Sequence, residues 1–180
     1  MKSVLISIKP KYVELIANGE KTIEVRKTAP KEVPFKAYIY ETKGATEMPW
    51  VDEDGHFIYK GRGQVIGEFV CDKVYLIKNQ GSRFSVADEE QSVTNEIARQ
   101  SCLDYADMVS YLGNKDGYGL HITTLKIYDK PKELSEFKRL NRTEENAPCA
   151  HTKWLYPDCK DCKECNLTRP PQSWCYVEEL

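Results

Sequence analysis

Between Val4 and Tyr128 most apolar residues recur with a period of two, and helical spacing breaks that rhythm in only two stretches. Residues 4–8 read as a first strand. Lys9-Pro10 follows, and proline suits the first turn of a helix, where its missing N–H has no partner to lose. Residues 11–18 carry Tyr12, Val13, Leu15 and Ile16 at helical spacing, and Gly19 is a natural stop. Residues 21–27 alternate, with Thr22, Glu24 and Arg26 on one face and Ile23 and Val25 on the other. That pattern predicts a strand with one polar and one buried face. Residues 35–42 form another strand, and 64–77 form one long or two short ones. Residues 88–112 are the main helical stretch, and a weak apolar pattern at 100–104 divides it in two. Residues 120–128 are a last strand, closed by Pro131. Residues 43–63 hold four glycines, Pro49 and the run Asp52-Glu53-Asp54, and read as a loop excursion.

Five or six strands and two or three helices, with no βαβ alternation, predict an α+β fold. The expected architecture is a small mixed sheet or β-barrel with helices at its edges, not a doubly wound sheet. The 180 residues are 41% hydrophobic, enough for a real core. No apolar run approaches the ~18 residues of a membrane span. The chain enters its first strand with no apolar leader, so a secretory signal is not expected and the location predicted is cytoplasmic. A net charge of −2 argues against a cation-coated nucleic-acid binder. The basic excess is local: residues 1–43 carry nine Lys or Arg against five Asp or Glu.

That basic segment holds the sharpest motif: Ile6-Ser-Ile-Lys-Pro10, then Tyr12 and Ile16, then Gly19-Glu-Lys-Thr-Ile-Glu-Val-Arg26. It resembles the ASCH family, named for activating signal cointegrator homology, within the PUA-like superfamily. Gly67-Glu-Phe-Val70 and Leu120-His-Ile-Thr-Thr-Leu-Lys-Ile-Tyr-Asp-Lys-Pro131 also look like family strands. The likeness covers residues 3–137. It implies a PUA-like β-barrel with a cleft beside the first helix that takes RNA or a nucleoside-like ligand. Some members hydrolyse the amide of 4-acetylcytidine, and one is described as a ribonuclease, so a hydrolase is the alternative. A protein-interaction module in transcription regulation is the third.

The residue types suit such a cleft. Lys9, Lys21 and Arg26 offer cationic donors, and an arginine fork grips phosphate or carboxylate in bidentate fashion. Thr22 adds a hydroxyl on the same strand face. Glu24 between two cations is an acceptor for the N–H edge of a base. Tyr12, Tyr38 and Tyr40 are candidate stacking partners. On spacing alone, Glu24 and Arg26 are a surface ion pair and Lys21 is solvated; the resemblance reverses that reading. For catalysis Lys21 and Glu24 are the candidates. The amidohydrolase members place a nucleophilic Thr where this chain has Glu24. Thr22 lies two residues, about 7 Å, along the strand, and a carboxylate does not replace a hydroxyl that is to be acylated. A matching helical acid is sought among Asp88, Glu89, Glu90 and Glu96. His121 reads as structural.

Of seven cysteines, five crowd the last thirty-two residues: Cys149, then Cys159, Cys162 and Cys165 as Cys-x2-Cys-x2-Cys, then Cys175. His151 stands beside the first. Four such ligands bind zinc tetrahedrally and staple a segment too small to fold alone. The expected set is Cys159, Cys162, Cys165 and Cys175, with Cys149 and His151 as alternates. An iron–sulfur cluster is the weaker reading, because the fourth Cys of a ferredoxin-like run is replaced within Asn166-Leu-Thr-Arg169. The expected organisation is therefore a domain over 1–137, a polar linker over 138–148 and a Cys-rich extension over 149–180. That extension is expected to pack back on the barrel, and if it reaches the cleft Arg169, Gln172 and Ser173 contribute ligand contacts. Cys71 and Cys102 read as ordinary core or near-core residues.

Overall fold

The computed structural model describes residues 1–44, 61–81, 83–140 and 166–180. In chain order the elements are β1 (Lys2–Ile8), α1 (Pro10–Ala17), β2 (Ile23–Arg26), β3 (Phe35–Glu41), β4 (Val65–Asn79) and β5 (Phe84–Val86). They continue with α2 (Gln91–Ser101), α3 (Tyr105–Leu112), β6 (Gly117–Lys132), a 3-10 turn (Leu134–Glu136) and β7 (Trp174–Val177). The strands form a sheet in the order β2-β6-β4-β3-β1-β7, with β5 paired to the end of β4. The expected barrel is corrected here: among the described residues the sheet does not close. The strand count rises to seven, because the short β5 and β7 lack a readable alternation.

The chain divides into two compact units, and the long strands β4 and β6 contribute to both. The first unit takes in residues 1–11, 36–68 and 126–180. Its core is Leu5, Tyr38, Tyr40, Val65, Phe137, Leu167, Cys175 and Val177. Phe137 is fully buried and meets the Tyr38 ring edge-on at 4.9 Å. β7 adds to β1 antiparallel, with Leu5 opposite Cys175. The Tyr38 hydroxyl accepts from the Leu180 N–H at 2.9 Å, so the chain end is tied to this core. Tyr38 and Tyr40 are therefore core residues and not the stacking platforms expected of them. Lys138 and Arg139 bridge to Asn166 and Val177, while the rest of the expected linker lies outside the described residues.

The second unit takes in residues 12–35 and 69–125. Its core joins Ile23 and Val25 of β2 to Ile77, Val86, Ile97, Met108 and Leu112. The helical stretch is two helices, as the pattern at 100–104 predicts. Cys102 ends α2 in the left-handed region (φ 50°), and Asp104 caps α3 by accepting from the Asp107 N–H at 2.7 Å. A polar cap and a non-helical residue between two apolar periods stop one helix and start another.

Gly67, in β4, shows how closely two backbones approach in the first unit. A Cβ placed there would lie 2.5 Å from the Lys126 carbonyl oxygen. We expect Gly67→Ala to destabilise the protein by ~1–3 kcal/mol, since backbone must yield to admit the methyl. Urea unfolding checks this, and an unchanged midpoint would contradict the packing described.

Candidate functional site

The motif's geometry begins at the end of α1. Gly19 takes φ +75°, a conformation that only glycine reaches cheaply. The N–H groups of Glu20 and Lys21 then both return to the Leu15 carbonyl, at 2.9 and 3.0 Å. This turn delivers Lys21 to the foot of β2. Thr22 is clamped next: its N–H donates to Gln100 O at 3.0 Å, and its carbonyl accepts from the Ile122 N–H at 2.8 Å. β2 runs antiparallel to β6 from there, with Glu24 opposite Leu120 and Arg26 opposite Tyr118.

The alternation along β2 is real, but its polar face is not a surface. Lys21, Glu24 and Arg26 are 2%, 5% and 6% exposed. The Lys21 ammonium donates to the Ser101 carbonyl at the end of α2 and faces the Tyr12 ring at 5.1 Å. Glu24 Oε2 lies 3.4 Å from Lys21 Nζ, an ion-pair contact, and Oε1 accepts from Arg26 Nη2 at 2.9 Å. The three side chains thus form one buried row, cation–anion–cation, in the second unit. Burial pushes the Lys21 ammonium below its ordinary value of 10.5, against the opposing pull of the Glu24 carboxylate and then of Cys102. Arg26 adds a smaller push in the same direction as burial. An amine so placed gives up its proton more readily than a solvated lysine. Beside it stand an acceptor (Glu24) and an arginine, the donor set for a polar, partly anionic ligand.

The ASCH domain model matches residues 6–168. The chain belongs to the ASCH family. ASCH domains are PUA-like and proposed to bind RNA. An ASCH protein of Zymomonas mobilis is similar in fold, with a TM-score of 0.57 at 16% identity, covering 99% of this chain and 89% of that one. Two variants of the same bacterial protein are similar too. A tyrosine-to-phenylalanine form gives TM-score 0.58 at 15% identity over 99% of this chain and 92% of the other. A serine-to-alanine form gives 0.58 at 15% over 99% and 89%. A comparison with curated proteins returned no match.

Within this ASCH fold the expected site residues separate. Lys21, Glu24 and Arg26 come together. Thr22, half-buried, is held beside them through its backbone. Tyr12 joins them through its ring. Lys9 is exposed and belongs to the first unit, as do Arg169, Gln172 and Ser173. Of the helical acids, Glu96 pairs with Arg99 and Gln100 in the open, which holds its carboxyl down at about 2. Glu89 pairs with Lys73 at 3.3 Å. His121 bonds Asp72 through Nδ1 at 2.7 Å, a surface pair rather than a ligand set. Two contributors were missed from sequence: the Ser101 carbonyl, eighty residues from its lysine, and Cys102, whose thiol reaches the Glu20 carbonyl at 3.5 Å. A backbone acceptor leaves no trace in residue identity. The break between two helices at 100–104 was the one available signal.

Cys175 is 5% exposed in the first unit's core, and burial raises its thiol above the usual range. The remaining candidate ligands, Cys149, His151, Cys159, Cys162 and Cys165, lie outside the described residues. Among the described residues no group of His, Cys, Asp and Glu is placed to hold a metal, and no helix is long and apolar enough to cross a membrane.

The lowered Lys21 value has a signed consequence. Between that value and 10.5 the unfolded chain holds a proton that the folded chain has lost, so stability rises with pH in that window. Removing the amine removes the term. The stability of the wild type minus that of Lys21→Met is expected to climb through the window by up to ~1.4 kcal/mol per pH unit. Urea unfolding of both proteins across alkaline pH measures the difference, and a flat difference refutes the assignment.

Proposed function

We propose that the chain binds RNA or a nucleotide-like ligand at the Lys21–Glu24–Arg26 row, with Thr22 and Tyr12 beside it. The observation that carries this reading is the burial of an uneven charge set, two cations to one anion, in the second unit. Desolvating such groups costs several kcal/mol per ion, and perturbed, buried ionisable groups concentrate where proteins do chemistry or bind. Arg26 supplies a fork for a phosphate, and Glu24 accepts from a base amino group. The protein is placed in the cytoplasm in this reading. Free thiols at Cys71 and Cys102 fit a reducing compartment.

Titration with a single-stranded RNA oligonucleotide and with the four free nucleosides tests the proposal. Glu24→Gln removes the carboxylate and keeps the shape, and Arg26→Lys removes the fork. Each is expected to weaken binding at least tenfold, as the loss of a charge-assisted hydrogen bond of ~1.5–3 kcal/mol implies. Variants that stay folded and bind with wild-type affinity would overturn the assignment.

The eased deprotonation of Lys21 favours a second reading, a hydrolase of a modified nucleoside or of RNA in which the free amine acts as base beside Glu24. Turnover of 4-acetylcytidine or of the oligonucleotide distinguishes the two. In a hydrolase Lys21→Met binds substrate and loses orders of magnitude in rate, whereas a binding module has no turnover to lose.

We further propose that the C-terminal cysteines take a structural zinc ion, drawn from Cys159, Cys162, Cys165 and Cys175 with Cys149 and His151 as alternates. The spacing supports it. Elemental analysis of dialysed protein should return one zinc per chain, and metal-free protein in which Cys149, Cys159, Cys162 and Cys165 titrate freely would end the idea.

A further inference from the structure

The second unit holds a cavity of about 250 Å³ between β5, α2 and α3. None of the charged row lines it. Its floor is apolar: Ile77, Ile97 and Met108 are each at most 5% exposed. At its mouth the Phe84 and Tyr105 rings stand 5.6 Å apart and tilted by 52°. Tyr105 is half exposed, and its hydroxyl donates to Gly81 O at 3.3 Å, which fixes the ring at the rim.

Size and lining restrict the occupant. An engineered cavity of roughly 150 Å³ takes one benzene ring, and drug-sized ligands fill roughly 300–1,000 Å³. The cavity therefore suits a planar body of one or two fused rings. A hydrocarbon would leave the rim unused, since Asn95 and Asp104 also line the cavity. The Asn95 Oδ1 already accepts from Gln91 at 3.0 Å and leaves the amide nitrogen as a donor, and Asp104 carries a second carboxylate oxygen beyond the one that caps α3. A donor and an acceptor above an apolar slot with an aromatic mouth fit a nucleobase edge and face. The Arg83 guanidinium stands at the same rim, held through Nε to Gln80 Oε1 at 2.9 Å, where a phosphate is the natural partner.

We propose that this cavity is a second nucleotide subsite, which takes the purine base of a nucleotide or of an unpaired RNA residue and places its phosphate on Arg83. The proposal rests on the nucleotide-binding reading above and assigns part of that binding to different residues.

Ala98 lines the cavity from α2, where a larger side chain extends the helix surface without removing a bond. Ala98→Phe is designed to fill the slot, and Arg83→Ala to remove the phosphate partner. AMP, GMP, adenosine and an oligoadenylate are titrated against wild type and both variants, with thermal unfolding confirming that each is folded. We expect Ala98→Phe to weaken AMP or GMP at least tenfold. Arg83→Ala should erase the advantage of AMP over adenosine. Binding of AMP alone marks a free-nucleotide site, and a parallel loss for oligoadenylate marks an RNA base. Wild-type mononucleotide affinity in Ala98→Phe overturns the subsite while leaving the Lys21 row standing. If Ala98→Phe is unfolded, Asn95→Ala decides on the same criterion. No binding of any probe by the wild type overturns both readings.

Discussion

A charged row buried between a helix end and a strand sets the terms for the second unit. Lys21, Glu24 and Arg26 have nearly no contact with water, so each depends on the others and on the Ser101 carbonyl. Buried ion networks gain little over a well-packed apolar core, yet removing one member costs ~3–5 kcal/mol, because the charges left behind stay desolvated. The consequence is specificity of arrangement rather than strength. β2 has to keep its register on β6, and α2 has to end where it does, or the ammonium loses its acceptor.

The turn at Gly19 and the clamp on Thr22 follow from the same requirement. The amides after α1 are spent on the Leu15 carbonyl, and Thr22 spends both backbone groups on α2 and β6. Nothing in the backbone around Lys21 is left to adjust. The side chain therefore enters a preformed place, which is the condition under which an amine keeps a perturbed proton affinity.

Period two exposed β1, β2, β3, β4 and β6 in the sequence, since each carries an alternating or buried apolar run that can be read. It failed for β5 and β7. Phe84–Val86 is three residues long, and Trp174–Val177 sits beside prolines and reads as tail. The barrel expectation failed for a related reason: alternation says which residues face inward and nothing about whether the first and last strands meet. For the site, the motif named the right residues but not their environment. Alternating Thr22, Glu24 and Arg26 looks like a solvated face, and only the burial by other elements makes it a polar interior. Tyr38 and Tyr40 went the other way, because an aromatic ring gives the same signal in a core as on a binding face.

α2 joins the two polar features of the second unit. Its last carbonyls hold Thr22 and Lys21, while Thr94, Asn95 and Ala98, one to two turns earlier, line the cavity. Thr94 also accepts the Val86 N–H at 3.0 Å, which pins the helix to β5. A helix is stiff over eleven residues, so it translates as a rod. The Ser101 carbonyl at its end is the acceptor of the Lys21 ammonium, and an ammonium buried without its acceptor is costly. The charged row holds the C-terminal end of the helix whose earlier turns wall the cavity, so the two features share one rigid element although no side chain belongs to both.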